Sequence, residues 1–250
     1  MPDVVLTEVR DQVLVVTLNR PDARNAIDAA LADGVIDAVE RLAGDETLRA
    51  AVLTGAGPGF CSGMDLKAFA SGNLPTRLLS FLQKGTAKPM VAAVEGFAVA
   101  GGLELALSCD LIVAARNAMF GIPEVRVGLF AAGGALARLP QRVPRGVALE
   151  MALTGDAISA EDGLRYGLVA RLTEPGGAED AALDLAGRIA ANAPLAVAAS
   201  RRLIAQAYAP VEQEYWGLQQ PHIDAVFRSA DAGEGRRAFA EKRAPVWSGR

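Results

Sequence analysis

Histidine is nearly absent from this 250-residue chain: a single one, His222, stands beside two cysteines, Cys61 and Cys109. A Ser–His–Asp relay needs a histidine next to its nucleophile, and His222 lies far from every glycine-rich or carboxylate-bearing motif, so a serine peptidase is set aside. It is expected at a surface or interface. One histidine and two cysteines argue against a metal site. Two cysteines are also too few for a disulfide framework, and both are expected to pack. Aromatic residues make up 5% of the chain, the formal net charge is −4, and Lys and Arg do not cluster. A basic, aromatic-interleaved face for nucleic acid is therefore missing. Apolar runs are broken by Gly, Glu or Asp before they reach membrane-spanning length. The opening MPDVVLTEVRDQ carries acidic residues and no apolar core, unlike a signal peptide. The expectation is a soluble cytoplasmic protein with neither a nucleic-acid nor a membrane partner.

What is abundant is apolar residues, 51% of the chain, enough for one large domain or one domain with a small appendage. β and α signals alternate through most of it. Segments 4–9 and 13–19 predict a hairpin turned at Asp11-Gln12. Helical spacing covers 28–43, with Asp28 as cap. A buried strand at 50–55 leads into a glycine-rich loop, 55-GAGPGFCSGMD-65. A helix over 74–86, strands at 90–95 and 111–115, and a helix from Gly101 between those strands follow. Beyond about 140 helices dominate, at 145–153, 159–165, 177–191, 195–207, 211–228 and 231–241, with one strand at 167–172. Pro144, Pro194 and Pro210 mark helix ends. This predicts an α/β core over 1–190 and a helical segment over 191–250. The broad apolar faces of that segment point to packing on another subunit.

The stretch 100-AGGLELALSCD-110 combines two glycines with a glutamate inside an apolar helix. A helix N-terminus offers unpaired N–H donors and a positive dipole end. Glycine there lets a ligand approach the backbone closely. Such a site suits a developing negative charge, and Glu104, about one turn in, can reach the same ligand. The alternative is that Gly101 and Gly102 allow tight packing and Glu104 is a capping acid. A second carboxylate, Glu124, follows Pro123 in 119-MFGIPEVRVGL-129. Two carboxylates in apolar settings can divide acid and base roles. The loop 55–65 matches neither a dinucleotide nor a P-loop fingerprint, nor G-x-S-x-G. Its backbone N–H groups can still supply an oxyanion donor.

In this order, the pieces resemble the enoyl-CoA hydratase/isomerase (crotonase) superfamily. The resemblance rests on 18-LNRPDARNAI-27, 60-FCSGMDLK-67, 96-GFAVAGGLELALSCD-110, 120-FGIPEVRVGL-129, 154-TGDAISAEDGLRYGLV-169 and 239-FAEKRAPVWSGR-250. It spans nearly the whole chain and is far more specific for the superfamily than for one reaction.

The resemblance implies an α/β fold, a crotonase-type spiral of ββα units with a helical C-terminal segment that covers the core or a neighbour, in homotrimers or hexamers. It implies an oxyanion hole from the N–H groups of Met64 and Gly101, an acid/base pair of Glu104 and Glu124, and CoA contacts at Ala23, Arg24, Ser62, Asp65, Leu66 and Lys67. The implied reaction adds water to a 2-trans-enoyl-CoA. CoA is part of the substrate, and no metal or redox cofactor is needed. The superfamily's isomerases and decarboxylases, the alternative reading, typically lack the residue at Glu104. A non-catalytic relative would be expected to lose a glutamate or Gly101, and both are kept. One departure stands out: Phe130-Ala131 replaces an Ile-Pro pair common in the family at the border of the acyl pocket.

Overall fold

The computed structural model describes residues 3–66, 68 and 76–249; Lys67 lies outside them. Strands β1 (Val5–Arg10) and β2 (Val13–Leu18) form the expected antiparallel hairpin, turned at Asp11 with φ 54°. Strands β3 (Ala50–Gly55), β4 (Met90–Val94), β6 (Leu111–Ala115) and β9 (Arg171–Thr173) then add in parallel, giving the order β1-β2-β3-β4-β6-β9. Three shorter strands, β5 (Phe97–Val99), β7 (Met119–Gly121) and β8 (Ile158–Ser159), build a second sheet in the order β5-β7-β8. The chain thus passes repeatedly from a main-sheet strand to a second-sheet strand and on to a helix, the expected spiral.

Residues on both faces of the main sheet are buried, as parallel strands require. One face carries Val13, Val52, Val91 and Val113, covered by Ala178, Ala182 and Ala186 of helix α7 (Ala178–Ala190). These alanines recur every fourth residue, so they share one face. The opposite face, with Leu14, Val16, Leu53 and Ile112, looks into the principal core. That core also takes Leu31, Val35 and Leu42 of α1 (Ala29–Gly44), whose first turn Asp28 caps by accepting from the Leu31 N–H at 2.9 Å.

Further helices are α2 (Thr76–Lys84), α3 (Gly101–Ser108), α4 (Ala135–Arg142), α5 (Arg145–Thr154), α6 (Ala160–Tyr166), α8 (Pro194–Phe227) and α9 (Ala230–Glu241). Two sequence expectations are corrected. A break at Pro210 does not occur, because α8 runs through it as one 34-residue helix. The strand expected at 167–172 begins only at Arg171, because Gly167 takes φ 96° and closes α6. No helix among the described residues is long and apolar enough to cross a membrane.

Candidate active site

Asn25 organises the floor of the site. It is fully buried at φ 53°, and its amide donates to the carbonyls of Ala56 (2.9 Å), Gly59 (2.9 Å) and Phe60 (3.1 Å) while accepting from the Arg20 N–H (2.9 Å). Four bonds to one side chain fix the glycine-rich loop against the 20–27 segment. The loop then runs beside Ile27, which uses its own N–H to Gly63 (2.8 Å) and its own C=O to Asp65 (2.9 Å). In a parallel bridge of this kind the residue opposite, Met64, keeps its N–H facing away from that neighbour.

The Met64 N–H meets the start of α3. A methyl group built on Gly101 would sit 3.5 Å from the Met64 nitrogen, and one built on Gly63 would sit 3.0 Å from the Gly101 nitrogen. The Met64 and Gly101 nitrogens therefore lie close to one another. Gly63 holds φ 93°, and a side chain there would collide with Ala100 Cβ at 2.6 Å, so only glycine fits. Ala100, which precedes the helix, is itself at φ 52°, ψ −130°. This sparsely populated conformation stores strain at the turn that aims the Gly101 N–H.

Glu104 is buried within α3, at 6% exposure. Its Oε1 accepts from the Ala135 N–H at 3.2 Å, and the Gly133 N–H also bonds to the carboxylate. It is therefore a capping acid, as the alternative reading proposed, but for α4 rather than for its own helix. Burial raises its pKa, to about 7, while the two N–H bonds and the Arg138 charge pull the other way. Glu124 sits on a 3-10 turn (Pro123–Val127) closed by Gly128 at φ 72°. Its Oε2 is buried without a partner. Burial, and then the Glu104 charge facing it, push its carboxyl up to about 8. The two glutamates thus share one buried site. Glu104, with two N–H bonds and the Arg138 charge, is the better-supported anion, and Glu124 is the one that holds a proton.

The other anticipated positions that are described lie on two neighbouring segments, 23–24 and 62–66. Ala23 ends a short 3-10 turn (Pro21–Ala23), and exposed Arg24 accepts the Ser62 N–H on its carbonyl at 3.1 Å. Leu66 is half-buried one residue beyond Asp65. The Asp65 carboxylate pairs with Arg20 at 3.2 Å. Asn25 and Arg20 were legible only as parts of the N-terminal motif, with no role attached.

A cavity of about 350 Å³ opens between the 130–136 segment and α8, walled by Phe130, Leu136, Tyr215, Leu218, Gln219 and Val226, with exposed His222 also in its lining. Phe130 lies in this lining, set edge-on to Phe227 at 5.5 Å. Nothing in the sequence singled out Tyr215 or Gln219. They come from α8, remote in the chain, and only tertiary packing brings them here.

Comparison with known proteins places this geometry in context. Residues 8–250 match the family model described as enoyl-CoA hydratase/isomerase. The chain is 41% identical to "Enoyl-CoA hydratase EchA19" of Mycobacterium tuberculosis, covering 100% of this chain and 97% of that one. It is 42% identical to "Carnitinyl-CoA dehydratase" of Salmonella typhi, covering 95% of each. Among solved structures, a carnitinyl-CoA hydratase from Mycobacterium avium superposes with a TM-score of 0.95 at 41% identity, with 100% of both chains covered. An enoyl-CoA hydratase from Mycobacterium tuberculosis gives 0.80 at 51% identity, over 99% of this chain and 100% of that one.

Proposed function

The chain belongs to the enoyl-CoA hydratase/isomerase family, and on that premise we propose that it hydrates 2-trans-enoyl-CoA thioesters to 3-hydroxyacyl-CoA. The same site would run the reverse dehydration. The observation that carries this reading is the buried Glu104–Glu124 pair, with both carboxyls raised towards neutrality and one oxygen of Glu124 unpartnered.

In the proposed mechanism the thioester oxygen accepts from the N–H groups of Met64 and Gly101, which draws electron density from Cβ. Water lies between the two carboxylates. Glu104, kept ionisable by two backbone N–H bonds and the charge of Arg138, takes a proton from that water as its oxygen bonds to Cβ. Glu124, held protonated, delivers a proton to Cα. The pair ends with the proton on Glu104, and exchange with solvent restores the starting state. An oxyanion donor typically contributes ~10²–10³ in rate, and each positioned acid or base ~10²–10⁴. CoA enters as part of the substrate, held along the rim of residues 23–24 and 62–67, and the reaction uses no metal or redox cofactor. Residues 191–250 form a second unit that covers the core and joins copies into a trimer or a pair of trimers. Apolar side chains left exposed on α8, Leu195, Leu203 and Ile204, support that assembly.

The test follows loss of the conjugated enoyl-thioester absorbance with crotonyl-CoA and longer 2-enoyl-CoAs. Rapid loss in the wild type that collapses in Glu124→Gln is expected. Binding of these thioesters without any hydration would overturn the hydratase reading.

A further inference from the structure

Glu104 is held by the backbone of another segment. The Ala135 and Gly133 N–H groups both bond to its carboxylate. The carboxylate lies directly on Gly133, where a methyl group would collide with it, so glycine is what permits the approach. Gly133 belongs to a turn that enters α4 through Gly134 at φ 106°. A turn can aim an N–H group steadily only if something fixes it.

That hold comes from α8. Gln219 donates from Nε2 to the Ala132 carbonyl at 3.1 Å. The Ala132 C=O and the Gly133 N–H are the two ends of one peptide group, which is planar and stiff. Fixing the oxygen therefore fixes the direction of the N–H. A bond accepted at the oxygen also polarises the N–H and strengthens the bond that it donates. One chain of hydrogen bonds thus runs from the Gln219 amide, through the Ala132–Gly133 peptide, to the Glu104 carboxylate. Trp216, three residues earlier and on the same side of the helix, lies against the next residue of the turn: a methyl group on Gly134 would stand 3.1 Å from its ring.

Gln219 keeps this bond against a penalty. It is only 7% exposed, and its Oε1 is buried without a partner. Such an atom is destabilising, and native structures keep few of them without a reason. Methionine or leucine would fill the position and leave no atom unpaired. What the amide adds is the bond to Ala132.

We propose that Gln219 is a positioning residue for the general base: through the Ala132–Gly133 peptide it fixes one of the two N–H groups that hold the Glu104 carboxylate in place. This rests on the hydratase reading, in which Glu104 takes a proton from water. Burial raises the Glu104 carboxyl, to about 7, and the Ala135 N–H, the Gly133 N–H and the Arg138 charge oppose it. Among the described residues, the charged and titratable groups that interact with it are Arg138 on α4, Glu124 on the 3-10 turn and Tyr215 on α8. A change at Gln219 removes none of them. Weakening the Gly133 bond makes Glu104 harder to ionise, so the fall of rate in acid, where the base is protonated, should begin at higher pH.

The experiment follows hydration of crotonyl-CoA against pH in the wild type, Gln219→Met, Gln219→Leu and, as control, Gln220→Met, whose side chain is exposed. The expected result is a ~10-fold loss of kcat in both Gln219 variants, with little change in KM and the acid limb moved to higher pH. Gln220→Met should follow the wild type. In a Glu104→Gln background, Gln219→Met should lower the rate little further, because the group that it positions is gone. A loss of folded enzyme lowers kcat without moving the limb. An acid limb unmoved in the Gln219 variants, or losses that multiply in full in the Glu104→Gln background, would overturn the proposal and leave the hydratase reading standing. So would failure of both Gln219 variants to fold, which would assign the residue to the fold rather than to the base. A wild type that hydrates no enoyl thioester would overturn the hydratase reading, and this proposal with it.

Discussion

Gly101 and Gly102 are neighbours in one helix, yet a methyl group acts differently at each. At Gly101 it meets Ile27 Cδ1 at 3.3 Å, the end of a flexible side chain that needs to give by a few tenths of an ångström, and the Met64 nitrogen at 3.5 Å. Alanine is also the better helix residue. Gly101→Ala should therefore still fold, with a melting temperature close to that of the wild type, while the methyl lies beside the proposed oxyanion donors. We expect kcat to fall by ~10²-fold, measured beside thermal unfolding. At Gly102 the methyl would lie 2.2 Å from the Cys61 carbonyl. Helix and loop would have to separate, so Gly102→Ala should lose roughly 1–3 kcal/mol of stability. Glu124 shows the opposite trade. Its folded pKa stands above the ordinary 4.5, at about 8, so the folded state resists ionisation. That resistance costs nothing while the carboxyl is protonated in both states, and it grows as pH rises from 4.5 towards 8. Glu124→Gln should match the wild type in melting temperature near pH 4, exceed it at pH 8, and lose ~10²–10⁴ in kcat. The wild-type rate profile should be bell-shaped, falling in acid as the base Glu104 is protonated and in alkali as Glu124 loses its proton. The two limbs belong to the pair rather than to either residue alone.

Among the elements, α9 touches the chemistry without contributing a group to it. A methyl on Gly235 would lie 2.1 Å from the Val127 carbonyl, and one on Gly128 would lie 2.6 Å from the Asp231 carbonyl. The last helix thus seats backbone to backbone against the turn that carries Glu124. The chain's end holds α9 there: Ser248 and Gly249 donate to Asp231, and Arg243 and the Val246 N–H bond to Glu234. Gly235→Ala should displace the turn and let water reach Glu124, lowering kcat by ~10-fold or more with a smaller change in KM. The alkaline limb of its rate profile should also move to lower pH, which a general loss of folded enzyme would not cause. Legibility in the sequence follows element length. Helices α1, α5, α6, α7 and α9 and the long strands carry enough residues for a period to show, and the sequence bounds agree to within one or two residues. β5, β7 and β8 have three, three and two residues, too few for an alternation, and they exist because neighbours pair with them. α4 hid behind the glycines before it and Pro140 within it. Glu104, Glu124 and Gly101 drew attention in the sequence because a carboxylate in an apolar setting and a glycine at a helix start are unusual locally, whereas Met64 was named only by the family resemblance. Tyr215 and Gln219 drew no attention, since each is ordinary in a helix and only tertiary packing buries its polar atom.

At the scale of the molecule, α8 joins two features that are usually separate. One part of its surface, with Tyr215, Leu218 and Gln219, walls the cavity opposite Phe130 and Leu136. Elsewhere Leu195 is 87% exposed, and Leu203 and Ile204 are 66% each. Scattered apolar residues are normal on a surface, but several on one helix mark a face that another chain covers. The proposed assembly would then hold in place the same helix that carries Gln219. Light scattering should give a particle of three or six chains. Replacing Leu203 and Ile204 together with glutamate should yield smaller particles, because a charge cannot be buried in an apolar contact without a partner. α8 would then lose its outer support, and the bond from Gln219 to the Ala132 carbonyl would loosen with it. The rate kcat should therefore fall along with particle mass. Small particles with wild-type kcat would separate assembly from the site, and an unchanged particle mass would remove α8 from the interface.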